Sequence, residues 1–355
     1  LDIYILIENI DIAQLRAIGF DSHVLQTLSS LDPQPQQQLG RVINIQRDHL
    51  QLHNGLHEIS AQLLPALQQQ LQASGDTLAV GDWVLFQSVT ARITQILPAK
   101  NRLCRRNSDG HRQALVANID VALLVMGLDH DFNLRRLDRY LILCLTNEVT
   151  PLLVLTKADC TAQATEKMPQ ARRHLPPHLG LLAIDGRGIA ARETLNPWLT
   201  AGQTVVLLGS SGAGKSTLTN TLLNTAVQET GAVRLDDSRG RHTTTSRSLH
   251  LCPNGVCIID TPDLRTLQLD SDEAGIYAAF TDITTLALDC RFRDCQHKDE
   301  PDCAVRAHIN PDRLKSFHKL LRELSRETMT VLQKHAQLAQ WKTVSKGSRA
   351  RRKAS

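Results

Sequence analysis

The sequence predicts an α/β protein in three parts. A small closed β-barrel of the oligonucleotide-binding type comes first, then a nucleotide-binding domain on a mainly parallel sheet, then a helical domain that holds a metal. Three observations carry that expectation. A glycine-rich phosphate-binding pattern lies between an apolar strand and a helix at Thr204–Leu223. Five short segments separated by turn residues precede it, between residues 39 and 99. A Cys/His cluster, Cys290–Cys303, follows it and interrupts a helical pattern.

The length of 355 residues suits two or three domains. The net charge is only +4, but it is unevenly spread. The tail Trp341–Ser355 carries Lys342, Lys346, Arg349, Arg351, Arg352 and Lys353 and no acidic residue. Such a block reads as a solvated tail that can also contact phosphates. No apolar run is long enough to span a bilayer. Leu1–Ile10 contains Asp2 and Glu8 and lacks a basic start, so it does not read as a secretory signal. A cytoplasmic chain is therefore expected, with its eight cysteines as thiols or metal ligands rather than disulfides. Cys104, Cys144, Cys160, Cys252 and Cys257 read as buried thiols.

In chain order, residues 1–37 form an extension and linker: Asp11–Leu28 has apolar spacing for a short helix, and a Pro/Gln-rich stretch follows. The barrel, residues 38–100, is expected to use strands Arg41–Gln46, His49–His53, His57–Leu63, Asp82–Gln87 and Arg92–Leu97. Turn residues at Asn54-Gly55, Ser74-Gly75-Asp76 and Gly81-Asp82 separate several of them. Five short strands in this length suit an oligonucleotide-binding barrel. A spacer barrel is the alternative, because fold alone does not fix function. Beside the barrel, Lys100, Arg102, Arg105, Arg106 and Arg112 make a basic stretch that favours RNA.

Residues 101–269 alternate between buried strands and helices. Strands are expected at Ile119–Met126, Leu152–Thr156, Leu181–Ile184, Thr204–Leu208, Ser246–Leu251 and Val256–Asp260. An amphipathic helix is expected at Arg135–Thr146, with Leu137, Leu141, Cys144 and Leu145 on one side. That alternation implies ligands at the carboxyl ends of the strands. A charged helix, Asp312–Gln340, closes a helical domain spanning 270–340, ahead of the tail 341–355.

The phosphate loop reads Gly209-Ser210-Ser211-Gly212-Ala213-Gly214-Lys215-Ser216-Thr217. Its glycines let the backbone curl so that N–H groups face phosphate oxygens, Lys215 reaches the β- and γ-phosphates, and Ser216 ligates Mg²⁺. The strand before it and the helix after it argue against a chance Gly-rich turn.

Thr156-Lys157-Ala158-Asp159 ends an earlier strand and resembles the guanine-reading element Asn/Thr-Lys-x-Asp of GTPases. The Asp159 carboxylate accepts from the ring N–H and exocyclic amine of guanine. Adenine leaves it unpaired, which is costly in a buried site. Lys157 can lie over the base, and Ala183–Gly186 can set backbone N–H groups at its edge. The Thr-rich loop Gly240–Thr245 suits a switch over the γ-phosphate, with Thr244 the favoured Mg²⁺ ligand. Asp260-Thr261-Pro262-Asp263 follows, and Asp260 can hold the Mg²⁺ hydration shell. GTPases read Asp-x-x-Gly here; Asp263 in place of Gly sets a carboxylate near an anionic phosphate. Leu264 follows where many GTPases carry a water-orienting Gln, and His242 is a candidate substitute.

The guanine-reading element precedes the phosphate loop, whereas ordinary GTPases have the reverse order. The nucleotide domain is thus expected to be circularly permuted, which leaves every motif at a carboxyl strand end. Further on, Cys290, Cys295, His297 and Cys303 offer three thiolates and an imidazole in a polar segment with little core to bury them. That set suits a closed, structural Zn²⁺ site with no position left for a catalytic water.

Together the permuted order, the phosphate loop, Gly240–Thr245 and the cysteine cluster resemble the circularly permuted GTPases of small ribosomal subunit maturation, the RsgA (YjeQ) family. The cysteine spacing matches that family without departure. The resemblance implies an oligonucleotide-binding barrel, a permuted GTPase domain binding GTP and GDP, and a zinc-bearing helical domain. It also implies binding to the 30S ribosomal subunit with contacts to 16S rRNA, and slow hydrolysis stimulated by that subunit; a monomer is expected. Two other readings compete. One is a GTP-gated assembly factor with little turnover, motivated by Asp263. The other is a P-loop small-molecule kinase, which has no use for the guanine element or the cysteine cluster.

Overall fold

The computed structural model describes residues 12–31, 34, 36–46, 50–106, 112–160, 164–224, 247–260 and 273–328. The chain divides into two compact units, Leu1–Asp270 and Ser271–Ser355. Among the described residues no helix is long and apolar enough to cross a membrane.

The single N-terminal helix expected from the spacing is two: α1 (Ile12–Ala17) and α2 (Ser22–Ser29). Gly19, at φ +90°, breaks the run, and the Asp21 carboxylate starts the second helix by accepting from the Val24 N–H at 3.0 Å. Leu15, Ile18, Val24 and Leu28 pack against Leu39, Trp83, Leu85 and Leu97 of the barrel. The extension is therefore a lid on the barrel core.

The barrel strands are β1 (Gln37–Ile45), β2 (Leu50–His53), β3 (Glu58–Leu63), β4 (Trp83–Gln87) and β5 (Arg92–Ile96). They run in the order β1-β2-β3-β5-β4, and a β1–β4 pairing closes the ring. Val42, Leu52, Ala61, Val84, Phe86 and Ile93 fill its centre. All five expected strands are present. Helix α3 (Pro65–Ser74), between β3 and β4, was not anticipated. It is rich in glutamine and buries only Leu67, and it depends on Pro65 at its start and left-handed Gly75 at its end.

The basic stretch is a β-hairpin, β6 (Arg102–Arg106) and β7 (Arg112–Ala117). Lys100 is paired with Asp21 and Asp120 at 2.9 and 2.5 Å, and Arg102 with Asp76 and Asp82 at 3.1 and 3.0 Å. These two cations are therefore paired within the fold. Asp82 is fully buried, and burial pushes its carboxyl up to about 6 against the pull of Arg102 and the Ala79 N–H. An unfolded aspartate titrates near ~3.9. Between those values the folded chain holds the extra proton, so this group's contribution to stability is full below about pH 4 and falls as pH rises to about 6. Urea midpoints at pH 4.5 and 7 should therefore show a less negative pH slope for Asp82→Asn than for the parent. Identical slopes would remove the assignment.

The second half of this unit carries β8 (Val121–Gly127), α4 (Leu134–Thr146), β9 (Thr150–Thr156), α5 (Ala164–His174), β10 (Gly180–Ala183), α6 (Gly188–Leu195), β11 (Thr204–Leu208), α7 (Lys215–Leu223), β12 (Arg247–Leu251) and β13 (Cys257–Asp260). The order is β10-β9-β8-β11-β13-β12, parallel except for β12. All seven residues of β8 and all five of β11 are buried, as continuous apolar runs require. Leu123, Val125, Val205 and Leu207 share one core with Leu195 of α6 and Leu218 and Leu222 of α7. Cys104, Cys144, Cys252 and Cys257 are buried free thiols, as expected.

The barrel and the nucleotide sheet are one sheet. β12 pairs antiparallel with β1, with Asn44 opposite Ser248 and Ile45 opposite Arg247. Beside that joint the fully buried Arg41 donates to the carbonyls of Ile18, Gly81 and Asn118 at 2.5, 3.3 and 3.3 Å, and to the Thr204 hydroxyl at 2.8 Å. One guanidinium thus ties the N-terminal lid, the barrel and the first residue of β11.

The C-terminal unit has α8 (Glu273–Ala279), α9 (Thr281–Ala287), α10 (Ala304–His308) and α11 (Pro311–Thr328). Ile276, Phe280, Ile283, Val305, Phe317 and Leu320 are buried in it. Arg313 grips both Asp282 carboxylate oxygens at 2.8 and 2.9 Å and lies 4.1 Å from the Phe280 ring centroid. The expected helix to Gln340 is described as far as Thr328; the rest of it and the tail 341–355 lie outside the described residues.

Candidate nucleotide and metal sites

β8, β9, β10, β11 and β13 run parallel, so their carboxyl ends share one edge of the sheet. The phosphate loop leaves β11 there and ends at α7, whose first N–H groups have no partner within the helix. Gly209 passes so close to β8 that a Cβ would stand 2.3 Å from the Val125 carbonyl oxygen. Gly214 holds φ +98° against Thr156. The Lys215 ammonium donates to the carbonyls of Gly209 and Ser210 at 2.8 and 2.7 Å, so it lies over the curl of its own loop. Ser216 and Thr217 are half-buried in the first turn of α7. Gly209→Ala should displace this loop and lower nucleotide affinity at least about tenfold, because the obstructing atom is backbone. A titration with a fluorescent GTP analogue measures it, and an unchanged affinity would show that the loop tolerates the shift.

The tetrapeptide Thr156–Asp159, expected from the sequence to read guanine, begins with the last residue of β9, two strands away. Its Thr156 hydroxyl donates to the Ala213 carbonyl at 2.6 Å, which fastens one motif to the other. Lys157 takes a left-handed φ of +61°, and its ammonium donates to Asp129 at 2.8 Å. Ala158 begins a short 3-10 turn that contains Asp159. The Asp159 carboxylate accepts from Arg187 at 2.8 Å, and Arg187 also donates to Asp185 at 2.8 Å. In Ala183–Gly186, the Ile184 N–H is bonded to the Leu155 carbonyl at 2.9 Å, so that amide serves the sheet. Asp260 is the last residue of β13, one beyond Ile259, which lies opposite Val206 of β11. Gly240–Thr245, with His242 and Thr244, and Thr261–Leu264, with Asp263, lie outside the described residues.

The loop after β8 joins the same edge, and sequence reasoning missed it. Asp131, buried, accepts from the Gly127 N–H at 3.0 Å, from Arg136 at 2.5 Å and from the Ser210 hydroxyl. Burial pushes the Asp129 carboxyl up, but Lys157 and the Asp131 N–H outweigh it and hold the group below the usual carboxylate range. The available signal was an acidic pair at the carboxyl end of a buried parallel strand.

In the C-terminal unit the ligand atoms of Cys290, Cys295, His297 and Cys303 all lie within 4.8 Å of one another. Cys290 Sγ is 3.7 Å from His297 Nδ1 and 3.8 Å from Cys303 Sγ, and Cys303 Sγ is 3.4 Å from His297 Nδ1. Tetrahedral Zn²⁺, with bonds of about 2.3 Å to sulfur and about 2.0 Å to nitrogen, gives edges of about 3.8 and about 3.5 Å. The four residues fit that ion in chemistry and in spacing. His297 at φ +59° turns the chain back on itself, and Glu300 fixes the turn by accepting from the N–H groups of Gln296, Lys298 and Asp299 at 3.0, 2.8 and 3.1 Å. Backbone N–H groups, its own included, pull that carboxyl down to about 2.

The family model described as RsgA GTPase matches residues 96–270. A model described as ABC transporter matches residues 193–353, a range that shares the strand, phosphate loop and helix just described. The chain is 44% identical over 273 residues to the small ribosomal subunit biogenesis GTPase RsgA of Xylella fastidiosa strain M23, covering 75% of this chain and 81% of that one. It is 44% identical over 275 residues to the protein of the same name in Xanthomonas campestris pv. campestris strain B100, covering 75% of each. Among solved structures, YjeQ from Thermotoga maritima superposes with a TM-score of 0.58 at 22% identity, over 81% of this chain and 98% of that one. YloQ, described as a circularly permuted GTPase, superposes with a TM-score of 0.56 at 21% identity, over 83% and 97%. These two likenesses establish the permuted fold.

Proposed function

Because the chain belongs to the RsgA family of GTP-hydrolysing enzymes, we propose that it binds the 30S ribosomal subunit, assists its late maturation, and hydrolyses GTP faster when bound there. The observation that carries the nucleotide half of this reading is the Thr156–Ala213 hydrogen bond of 2.6 Å. It fastens the tetrapeptide that contains Asp159 to the glycine-rich loop that contains Lys215.

In this reading Asp159 accepts from guanine, and the stem of Lys157 lies along the base. The amides of Ser211–Ser216 and the Lys215 ammonium take the phosphates. Lys215 then exchanges the carbonyls of Gly209 and Ser210 for phosphate oxygens. Ser216, Asp260 and Thr244 would hold Mg²⁺, which supplies charge neutralisation on the phosphates. His242 is the proposed group that orients the attacking water. Cys290, Cys295, His297 and Cys303 would hold one structural Zn²⁺. Contacts to 16S rRNA and action as a monomer belong to the same proposal.

Phosphate release and co-sedimentation, each with and without 30S subunits, test it. Stimulated release, and tighter sedimentation with a GTP analogue than with GDP, are expected. Equal release in both conditions would favour the low-turnover assembly factor that Asp263 suggests, and faster release by Asp263→Gly would identify the cause. No sedimentation in either nucleotide state would overturn the ribosomal assignment.

A further inference from the structure

The C-terminal unit contains a cavity of about 700 Å³, between α11, the loop 295–298 and Tyr277 of α8. Nucleotide-sized ligands occupy cavities of about 300–1,000 Å³. The lining has two chemistries. Tyr277, 41% exposed, and Phe317, 4% exposed, supply aromatic surface, with ring centroids 6.2 Å apart. Lys298, Lys315, His318 and Arg322 supply cationic or titratable groups, and among the described residues the lining includes no aspartate or glutamate. Lys315, His318 and Arg322 recur at three- and four-residue spacing, on one face of α11. Two neighbouring carboxylates already have partners. Glu300 accepts three backbone N–H groups, and Asp312 forms an exposed pair with Lys315 at 3.4 Å that competes weakly with a phosphate.

We propose that this cavity captures one unstacked base of a single-stranded RNA segment. The base lies against Tyr277, and the flanking phosphates meet Lys298, Lys315 and Arg322. Sequence-tolerant binding of single strands uses this combination, since every base has a stacking face and every linkage a charge. An acidic peptide would satisfy the cations but leave the aromatic wall unused, and a duplex keeps its bases out of reach. Cys295 and His297 form part of the wall, so the cavity takes its shape from the metal cluster. The source of the RNA rests on the ribosomal reading above; the cavity's chemistry does not.

The test uses the full chain and a hexaribonucleotide with a central 2-aminopurine. Binding should quench the fluorophore. Tyr277→Ala should abolish the quench and weaken binding about tenfold. Lys315→Gln and Arg322→Gln should each weaken binding and flatten the logarithmic salt slope by about 0.7. Unchanged zinc content and helical signal show that the variants fold. Undiminished RNA affinity in Tyr277→Ala, or a polyglutamate peptide bound as tightly as the RNA, overturns the proposal. A parent chain that binds the hexamer through Tyr277 yet ignores 30S subunits upholds the cavity and overturns the ribosomal assignment instead.

Discussion

Asp159→Asn is expected to cut GTP affinity about a hundredfold while leaving the fold intact. The carboxylate offers two acceptors to two donors on guanine, and hydrogen bonds to a charged group contribute about 1.5–3 kcal/mol each. The amide replaces one acceptor with a donor, which then faces the exocyclic amine. A loss of about 3 kcal/mol corresponds to roughly two decades in affinity. Xanthine carries an oxygen where guanine has that amine, so the variant should bind xanthosine triphosphate better than the parent does. The side chain is partly exposed and its partner Arg187 also reaches Asp185, so the substitution strands no buried charge. Competition titrations with GTP, XTP, ITP and ATP report the outcome. Retained preference for GTP would mean that Asp159 does not read the base.

Cys303→Ser is expected to release zinc and melt the C-terminal unit. Cys303 is buried, touches both Cys290 and His297, and accepts from the Arg306 N–H at the start of α10. Structural zinc contributes about 10–16 kcal/mol of apparent binding free energy, as much as a whole small domain's net stability of about 5–15 kcal/mol. The described apolar core of this unit is small, built chiefly on Ile276, Phe280, Ile283, Val305, Phe317 and Leu320, so a bound metal would supply much of its stability. Hydrogen exchange should speed up across residues 273–328, and metal analysis should fall from one zinc per chain to none. The nucleotide motifs all lie in the other unit, so GTP affinity should stay within about threefold. A parent chain purified without zinc, with the same exchange pattern as the variant, would dismiss the metal.

The features legible in the sequence are those whose physics is local. The phosphate loop could be read because its curl demands glycine at fixed positions, between one buried strand and one helix. The parallel strands could be read because burial on both faces leaves uninterrupted apolar runs such as those of β8 and β11. The Cys/His cluster could be read because its four side chains sit within a short polar stretch. Most of what escaped depends on partners distant in the chain. Helix α3 has no strong apolar stripe and depends on its caps. Asp131 earns its role only where β8 brings it beside Ser210, 79 residues away. Lys100 and Arg102 meet Asp21, Asp120, Asp76 and Asp82, carboxylates that lie 20 or more residues away in the chain.

The pairing of β12 with β1 bears on how separable this protein's parts are. An oligonucleotide-binding barrel is often pictured as an interchangeable cassette. Here excision would bare a strand edge on the nucleotide half, a template for aggregation. It would also leave the Thr204 hydroxyl and the Asn118 carbonyl facing the hole once filled by Arg41. Transplanting or deleting the barrel therefore calls for redesign of both halves, and fragments cut at that seam should express as insoluble material.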